Sequence, residues 1–160
     1  MTSNETLPSA EELLSVLPLL NRLIAVKLRQ EIDEEITLSQ FRVLTQLQEH
    51  SITLSELADQ RHVTRQAASL QVQGLVERGW VRRVPDLEDR RQAWLEVTEE
   101  GLSRWGQART SLIEYLAGLL QELTTEEFEA LQVLIPALKR VMERARDPRK
   151  LSQEESESAL

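Results

Sequence analysis

The stretch from Leu54 to Thr98 constrains this chain most, because two short helical patterns there are followed directly by two strand patterns. A first amphipathic helix is followed by a turn at residues 60–63 and a second helix over residues 65–78. Two runs with β-branched and aromatic residues, 80–85 and 92–97, then predict a hairpin. A helix-turn-helix that runs straight into a hairpin predicts a winged helix: a mainly α fold with a small β-hairpin wing.

The second helix of this pair has clear local signals at both ends. Thr64 is predicted to cap its start, and Gly79 is predicted to end it. A carboxylate at the third position would repel phosphate, and Ala67 stands there instead, which suits a helix start that meets nucleic acid. Four other helix starts are predicted from Ser or Thr followed by Glu or Gln three residues later: Ser9/Glu12, Thr37/Gln40, Thr53/Glu56 and Thr124/Glu127.

Helical phase divides the second helix into two faces. Ala68, Val72 and Leu75 share one side and are predicted to pack inward. On the other side, Leu70 is either an exposed leucine without a role or a contact for a thymine methyl group. The remaining candidates near the start and on the outer face can bond base edges or phosphates: Thr64, Arg65, Gln66, Ser69 and Gln73.

The loop of the predicted hairpin carries two adjacent arginines. Arg90 and Arg91 follow Asp89, and an arginine at such a tip can enter the narrow minor groove of DNA. Phosphate repels Asp89, so its expected role is to hold Arg91 in place. Arg83 on the first strand is a further candidate contact. The alternative is a charged loop that serves only solubility, but such a loop would not need to follow a capped helix-turn-helix.

The formal net charge of the chain is -8, yet the charge is unevenly distributed. Residues 60–91 contain seven arginines and four acids, a local balance of +3. Phosphate attraction acts over a Debye length of roughly 8–10 Å, so the local balance matters more than the total. The basic region coincides with the helix-turn-helix, which favours double-stranded DNA as the partner over arginines that only solvate a surface.

Composition excludes several other classes of protein. The chain has no cysteine, so it has neither disulfides nor a redox-sensing thiol, and this fits a cytoplasmic location. His50 and His62 are the only histidines, which excludes a conventional zinc site. No apolar run is long enough to span a membrane, and no secretory signal is recognised. Without an activated nucleophile, metal site or glycine-rich phosphate loop, we expect neither an enzyme nor a cofactor.

The helical patterns outside the winged helix predict a dimer. The first helix, about residues 10–34, is apolar on more than one face, so it is expected to bury one side against a partner. The last helix has a coiled-coil-like seam, which Pro136 is expected to disturb. We expect a single homodimeric domain over residues 1–160, with dimerisation helices at 10–36 and 99–146, a DNA-binding lobe at 37–98, and flexible ends at 1–7 and 147–160.

Across roughly residues 10–145 the sequence resembles the MarR (multiple antibiotic resistance regulator) family of bacterial winged-helix transcription factors. The motifs that carry the resemblance are Leu54-Ser-Glu-Leu-Ala58, Val63-Thr-Arg-Gln-Ala-Ala-Ser69, Leu75-Val-Glu-Arg-Gly79, Asp89-Arg-Arg91, Leu95-Glu-Val-Thr98 and Gly101. The resemblance implies a homodimer, a palindromic operator and, in many members, a small ligand that lowers DNA affinity. It also places Arg65, Gln66 and Ser69 in the recognition helix, and Asp89 and Arg91 in the wing.

Three positions depart from the family pattern. His62 stands where many relatives have a turn glycine, and histidine tolerates a left-handed backbone better than most residues, so a structural role is expected. Leu70 and Gly74 stand where relatives often carry arginine. Their lack of charge is expected to weaken nonspecific phosphate binding and to place more of it on Arg65 and the wing.

The sequence therefore predicts a dimeric repressor that binds an operator. An effector pocket is most plausible near Phe41, Trp105 or Tyr115, although these aromatic residues equally fit a plain core. The alternative function is a winged-helix adaptor that binds protein and not a specific DNA sequence, which the acidic flanking helices keep open.

Overall fold

The computed structural model describes residues 3–31, 36–86 and 92–146, and it is mainly helical with one small antiparallel sheet. This confirms the predicted fold class. The elements in chain order are α1 (Ser3–Glu31), α2 (Leu38–Leu47), β1 (Ile52–Thr53), α3 (Leu54–Gln60), α4 (Arg65–Glu77), β2 (Val81–Pro85), β3 (Ala93–Val97), α5 (Glu99–Leu120) and α6 (Thr125–Arg146).

Three of the four predicted capping boxes are present. The hydroxyls of Thr37 and Thr53 accept from the backbone N–H three residues on, and Gln40 and Glu56 bond back. Thr124 and Glu127 do the same at the start of α6. The prediction at Ser9 is wrong, because α1 is already helical from Ser3. A polar residue inside a helix has no free backbone N–H groups to cap.

The wing contains one strand more than the sequence predicted. The sheet has the order β1-β3-β2, and all pairs are antiparallel. β2 and β3 form the expected hairpin, with Val81 opposite Val97. β1 pairs Ile52 with Leu95 on the other side of β3. A strand of only two residues is too short to show an alternating pattern in the sequence. The pairing of β1 therefore depends on a partner strand over forty residues away.

The core of the winged helix lies between α2, α3, α4 and the sheet. Its members are at most a few per cent exposed, and they include Leu44, Leu57, Val72, Trp80 and Leu95. Leu28 of α1 and Leu112 of α5 join the same buried cluster. This core fixes which side of α4 faces outward.

Contacts divide the chain into two compact units, Met1–Tyr115 and Leu116–Leu160. In the first unit, α1 continues through Pro8 and Pro18 and buries Leu28, whereas much of its apolar surface is exposed, at Leu14, Val16, Leu17, Leu19, Leu20, Leu23 and Val26. In the second unit, α6 continues through Pro136 and exposes Phe128, Val133, Leu134, Ile135, Val141 and Met142.

Candidate nucleic-acid interface

Both ends of helix α4 are built as the sequence predicts. The Thr64 hydroxyl accepts a hydrogen bond from the Ala67 N–H at 3.1 Å, and the first turn contains no acid. At the other end Gly79 has a φ of 74°, and the Trp80 N–H donates to the Leu75 carbonyl at 2.9 Å. This 6→1 bond is a Schellman motif, which satisfies the last carbonyls and turns the chain into β2.

The two faces of α4 separate as expected. Ala68, Val72 and Leu75 are fully buried, which confirms the inward face. On the outward face Gln66 is exposed, Ser69 is half-buried and Leu70 is 67% exposed. An exposed helix face of this kind has the shape that fits a major groove.

Gln73 is exposed on the same face, but its side chain already has a partner. Its Nε2 donates to the Glu77 carboxylate at 2.8 Å, one turn further along α4. Contact with a base edge requires that this bond opens or that the other amide group is used. Thr64 is likewise engaged in capping, so its first role is to start the helix.

The structure brings Arg65 and Arg83 together, which the sequence did not indicate. Arg65 begins α4, Arg83 lies on β2, and both line a cleft of about 190 Å³. The remaining lining residues are Thr53, Leu54, Ser55, Gln92, Ala93 and Leu95. Both arginines are exposed, and neither forms an ion pair with any residue that the structure describes. Two uncompensated guanidinium groups at one cleft suit a phosphate.

Ser55 is a residue of this cleft that sequence reasoning missed. Its hydroxyl belongs to the first turn of α3 and is half-buried. The signal that could have found it is its position two residues after Thr53, whose capping box begins the first helix of the pair. Without knowledge of the β1 pairing, however, the sequence does not bring α3 next to the wing.

The base of the wing is held by polar contacts. The Trp94 indole N–H donates to the Asp86 carboxylate at 2.8 Å, and the Asp86 N–H donates to the Gln92 carbonyl at 3.1 Å. Arg82 is paired with Glu96 on the neighbouring strand at 2.7 Å. Because Arg82 is neutralised, Arg83 is the more available cation of the two. Asp89, Arg90 and Arg91 lie outside the described residues, so their wing roles stay predictions.

The turn before α4 and the junction after it are both tightly constrained. His62 has a φ of 52°, which confirms the predicted left-handed backbone at this position. The apolar side chain of Val63 predicts a core position, but it is 37% exposed; the Val63 N–H donates to the Ala58 carbonyl at 3.0 Å and anchors the turn. At the junction, the Thr98 hydroxyl donates to the Gly79 carbonyl at 2.7 Å. α4 is thus held at both ends.

The aromatic residues considered for an effector pocket make ordinary packing contacts. The Trp105 indole N–H donates to the Thr45 hydroxyl at 3.0 Å, and Phe41 and Trp105 pack against the core cluster. Lys27 lies over the Tyr115 ring at 5.6 Å. These contacts fit the core alternative, and the position of an effector site stays untested.

Two further features are absent from residues 3–31, 36–86 and 92–146. No group of His, Asp or Glu side chains there is arranged to hold a metal ion. Over the same ranges, no helix combines the length and the apolar character needed to cross a lipid bilayer.

Comparison with known proteins places this geometry in a family. The sequence profile of the MarR family matches residues 35–92. The HTH-type transcriptional repressor MdtR of Bacillus subtilis is 29% identical over 125 residues, which cover 74% of this chain and 81% of MdtR.

Solved structures of similar fold include MarR proteins. A mutant MarR from E. coli superposes with a TM-score of 0.72 and 28% identity, over 83% of this chain and 95% of that one. A mutant MarR from E. coli in complex with operator DNA superposes with a TM-score of 0.63 and 28% identity, over 84% of this chain and 96% of that one. The profile match over residues 35–92, the MdtR relative and the likeness of fold to MarR together support a MarR-family winged-helix regulator.

Proposed function

We propose that the protein is a sequence-specific DNA-binding repressor that acts as a homodimer on a palindromic operator. The observation that carries this proposal is the meeting of Arg65 and Arg83 at one cleft beside the exposed face of α4. A basic cleft next to a polar, outward helix face is what simultaneous contact with the phosphate backbone and the base edges requires.

In the proposed complex, α4 enters the major groove with its N-terminal half. Gln66 and Ser69 face the bases, and Leu70 is placed to touch a thymine methyl group. Arg83 holds the phosphate backbone, and Arg65 at the start of α4 reaches both the backbone and the first base edge. Arg90 and Arg91 supply the minor-groove contact of the wing, with Asp89 holding Arg91 in place. The mutant MarR that is complexed with operator DNA has the same fold, which supports DNA binding by this chain.

The proposal of a homodimer is supported by the exposed apolar surface of α1 and α6. Val133 on α6 is 76% exposed, and six apolar side chains on this helix are exposed in all. Surfaces of this extent are uncommon on monomers, which favours their burial against a second copy. Two recognition helices about 34–36 Å apart would read successive major grooves on one face of the duplex. Residues 10–36 and 99–146 are the proposed dimerisation helices.

Repression, and its relief by a small molecule, complete the proposal. The MdtR relative is named as a transcriptional repressor, which favours repression over activation. A ligand would act by binding more tightly to a dimer whose recognition helices do not match the operator spacing. A coupling free energy of about 1–3 kcal/mol between ligand and DNA binding is sufficient to lower the DNA affinity. Such a regulator works in the cytoplasm, without a cofactor and without catalysis.

Selection of bound duplexes from a random DNA pool tests the proposal. We expect a two-fold symmetric motif with half-sites about one helical turn, roughly 10 base pairs, apart. The variant Arg65→Glu is expected to abolish the enrichment, whereas Arg78→Glu, the same charge reversal at the exposed C-terminal end of α4, is expected to retain it. Absence of any enriched motif with the unmodified protein would contradict the proposal and favour the protein-binding adaptor.

A further inference from the structure

A second cationic cluster, separate from the cleft of Arg65 and Arg83, joins α2 to the end of α3. Arg61 is the C-cap residue of α3, and its Nη2 donates to the Ser39 hydroxyl of α2 at 3.1 Å. Arg42, one turn further along α2, is held by a 2.8 Å bond from its Nη2 to the Asn21 side-chain oxygen. We call Ser39, Arg42 and Arg61 the α2–α3 cluster.

The positive charge of this cluster is not compensated within the described residues. Neither arginine forms an ion pair with any carboxylate there. The Nε of Arg61 is buried and has no hydrogen-bond partner. Burial, and then the nearby positive charge of Arg42, lower the pKa of the Arg61 guanidinium. Two cations that repel each other at a half-buried site lower the stability of the free protein, unless an anion joins them.

The position of the cluster relative to α4 indicates which anion this is. Arg65 follows Arg61 by four positions, and the constrained turn at His62 lies between them. The neighbouring side chain, Gln40, lies so close to Gly74 that a Cβ on that glycine would be 2.8 Å from its Nε2. The start of α2 therefore lies against α4, so a duplex bound by α4 would bring its backbone close to the cluster.

We propose that Ser39, Arg42 and Arg61 form an oxyanion site that takes one backbone phosphate of the bound DNA. This inference rests on the proposed function, because the phosphate that it assigns to the cluster belongs to the bound DNA. Guanidinium groups hold phosphate oxygens by charge-assisted hydrogen bonds, and the Ser39 hydroxyl retains a proton to donate. The repulsion between the two arginines is relieved only in the complex.

The small number of cations on α4 explains why a phosphate contact outside this helix would matter. Neither Leu70 nor Gly74 adds a cation to this helix. Arg65 is the only cation between Thr64 and Glu77. A phosphate contact from α2 and α3 restores nonspecific attraction without a change to the base-reading face.

The test measures salt dependence in the full-length protein with Arg42→Gln, Arg61→Gln and the control Arg78→Gln, which removes the same charge from the exposed C-terminal end of α4. Dissociation constants are measured between 50 and 200 mM salt by fluorescence anisotropy. The selected duplex and a scrambled duplex are compared. Both cluster variants are expected to bind the two duplexes more weakly by the same factor. Each is expected to lower the slope of log K against log salt by about 0.9, the contribution of one phosphate.

The melting temperature of Arg61→Gln and the salt slope of Arg61→Lys distinguish phosphate binding from a purely structural role of Arg61. Arg61→Gln is expected to keep or raise the melting temperature, since it removes a poorly solvated charge beside Arg42. Arg61→Lys is expected to recover most of the slope, because the charge remains. If Arg61→Gln does not fold, the exposed Arg42 carries the test. Unchanged slopes in both variants would overturn the DNA assignment.

Inorganic phosphate distinguishes the two sources of the anion. If phosphate raises the melting temperature of the unmodified protein without DNA, and the cluster variants lose this rise while their salt slopes stay unchanged, the site takes a free oxyanion and not the DNA backbone. If neither effect occurs, the site itself is rejected. Should the unmodified protein bind no duplex, the proposed function fails, and the phosphate measurement still decides whether the oxyanion site exists.

Discussion

Helices α4 and α6 both carry apolar residues at helical spacing, but they use them differently. On α4, Ala68, Val72 and Leu75 are completely buried within the chain. On α6, the largest apolar side chains are exposed, and Val133 reaches 76%. An amphipathic pattern therefore predicts that a face will be covered without telling whether the same chain or a partner covers it. The predictions below test this difference.

Removal of a core side chain from α4 is expected to have the largest effect. Leu75→Ala leaves a cavity in a fully buried site and should lower the free energy of unfolding by about 2–5 kcal/mol. Val133→Ala should lower it only through dimer dissociation, so its effect should depend on protein concentration. Urea unfolding at two protein concentrations checks both. A large, concentration-independent effect of Val133→Ala would remove the contrast between the two helices.

A matched pair of glycines on α5 tests how firmly the lobe is joined to this helix. A Cβ on Gly101 would lie 2.0 Å from the Trp80 carbonyl oxygen, a backbone atom, whereas a Cβ on Gly106 would meet nothing within 4 Å. Gly101→Ala is expected to lower the free energy of unfolding by about 1–3 kcal/mol. Gly106→Ala is expected to raise it by about 0.5–1 kcal/mol, because alanine favours helix. Equal effects in thermal unfolding would contradict the close approach.

The two arginines of the cleft are expected to differ in what they recognise. Arg65→Gln should weaken operator binding by about 1–3 kcal/mol and reduce discrimination between operator and scrambled duplex, because Arg65 lies at the start of the base-reading helix. Arg83→Gln should weaken binding to both duplexes equally. Anisotropy titrations measure both, with Arg144→Gln on α6 as the charge control. Loss of discrimination with Arg83→Gln alone would reverse the assignment.

The smallest expected effect concerns the cap of α4. Thr64→Ala leaves the Ala67 N–H without its acceptor and should lower the free energy of unfolding by about 1 kcal/mol. Thr64→Ser keeps the acceptor oxygen and should lower it far less. Chemical denaturation followed by circular dichroism is precise enough for the comparison. If serine and alanine cost the same, the cap does not stabilise this helix.

Sequence reasoning succeeded where the determining interactions are local. Thr64 and Gly79 marked the ends of α4, and His62 was expected to be left-handed, because caps and positive φ angles depend on neighbours within a few residues. It failed where a local signal had two meanings. Ser9 has the pattern of a cap but lies inside α1, and Val63 has the character of a core residue but is exposed in the turn.

The sequence by itself determined helix α4 with its inward and outward faces, the hairpin of β2 and β3, and the resemblance to the MarR family, since all of these depend on short-range patterns. Only the tertiary structure decided that β1 joins the wing, that Arg65 and Arg83 share a cleft, and that Arg61 meets Ser39 near Arg42. The physical reason is distance along the chain: these contacts join residues from 18 to more than 40 positions apart, and pairing over such separations follows from packing and not from periodicity.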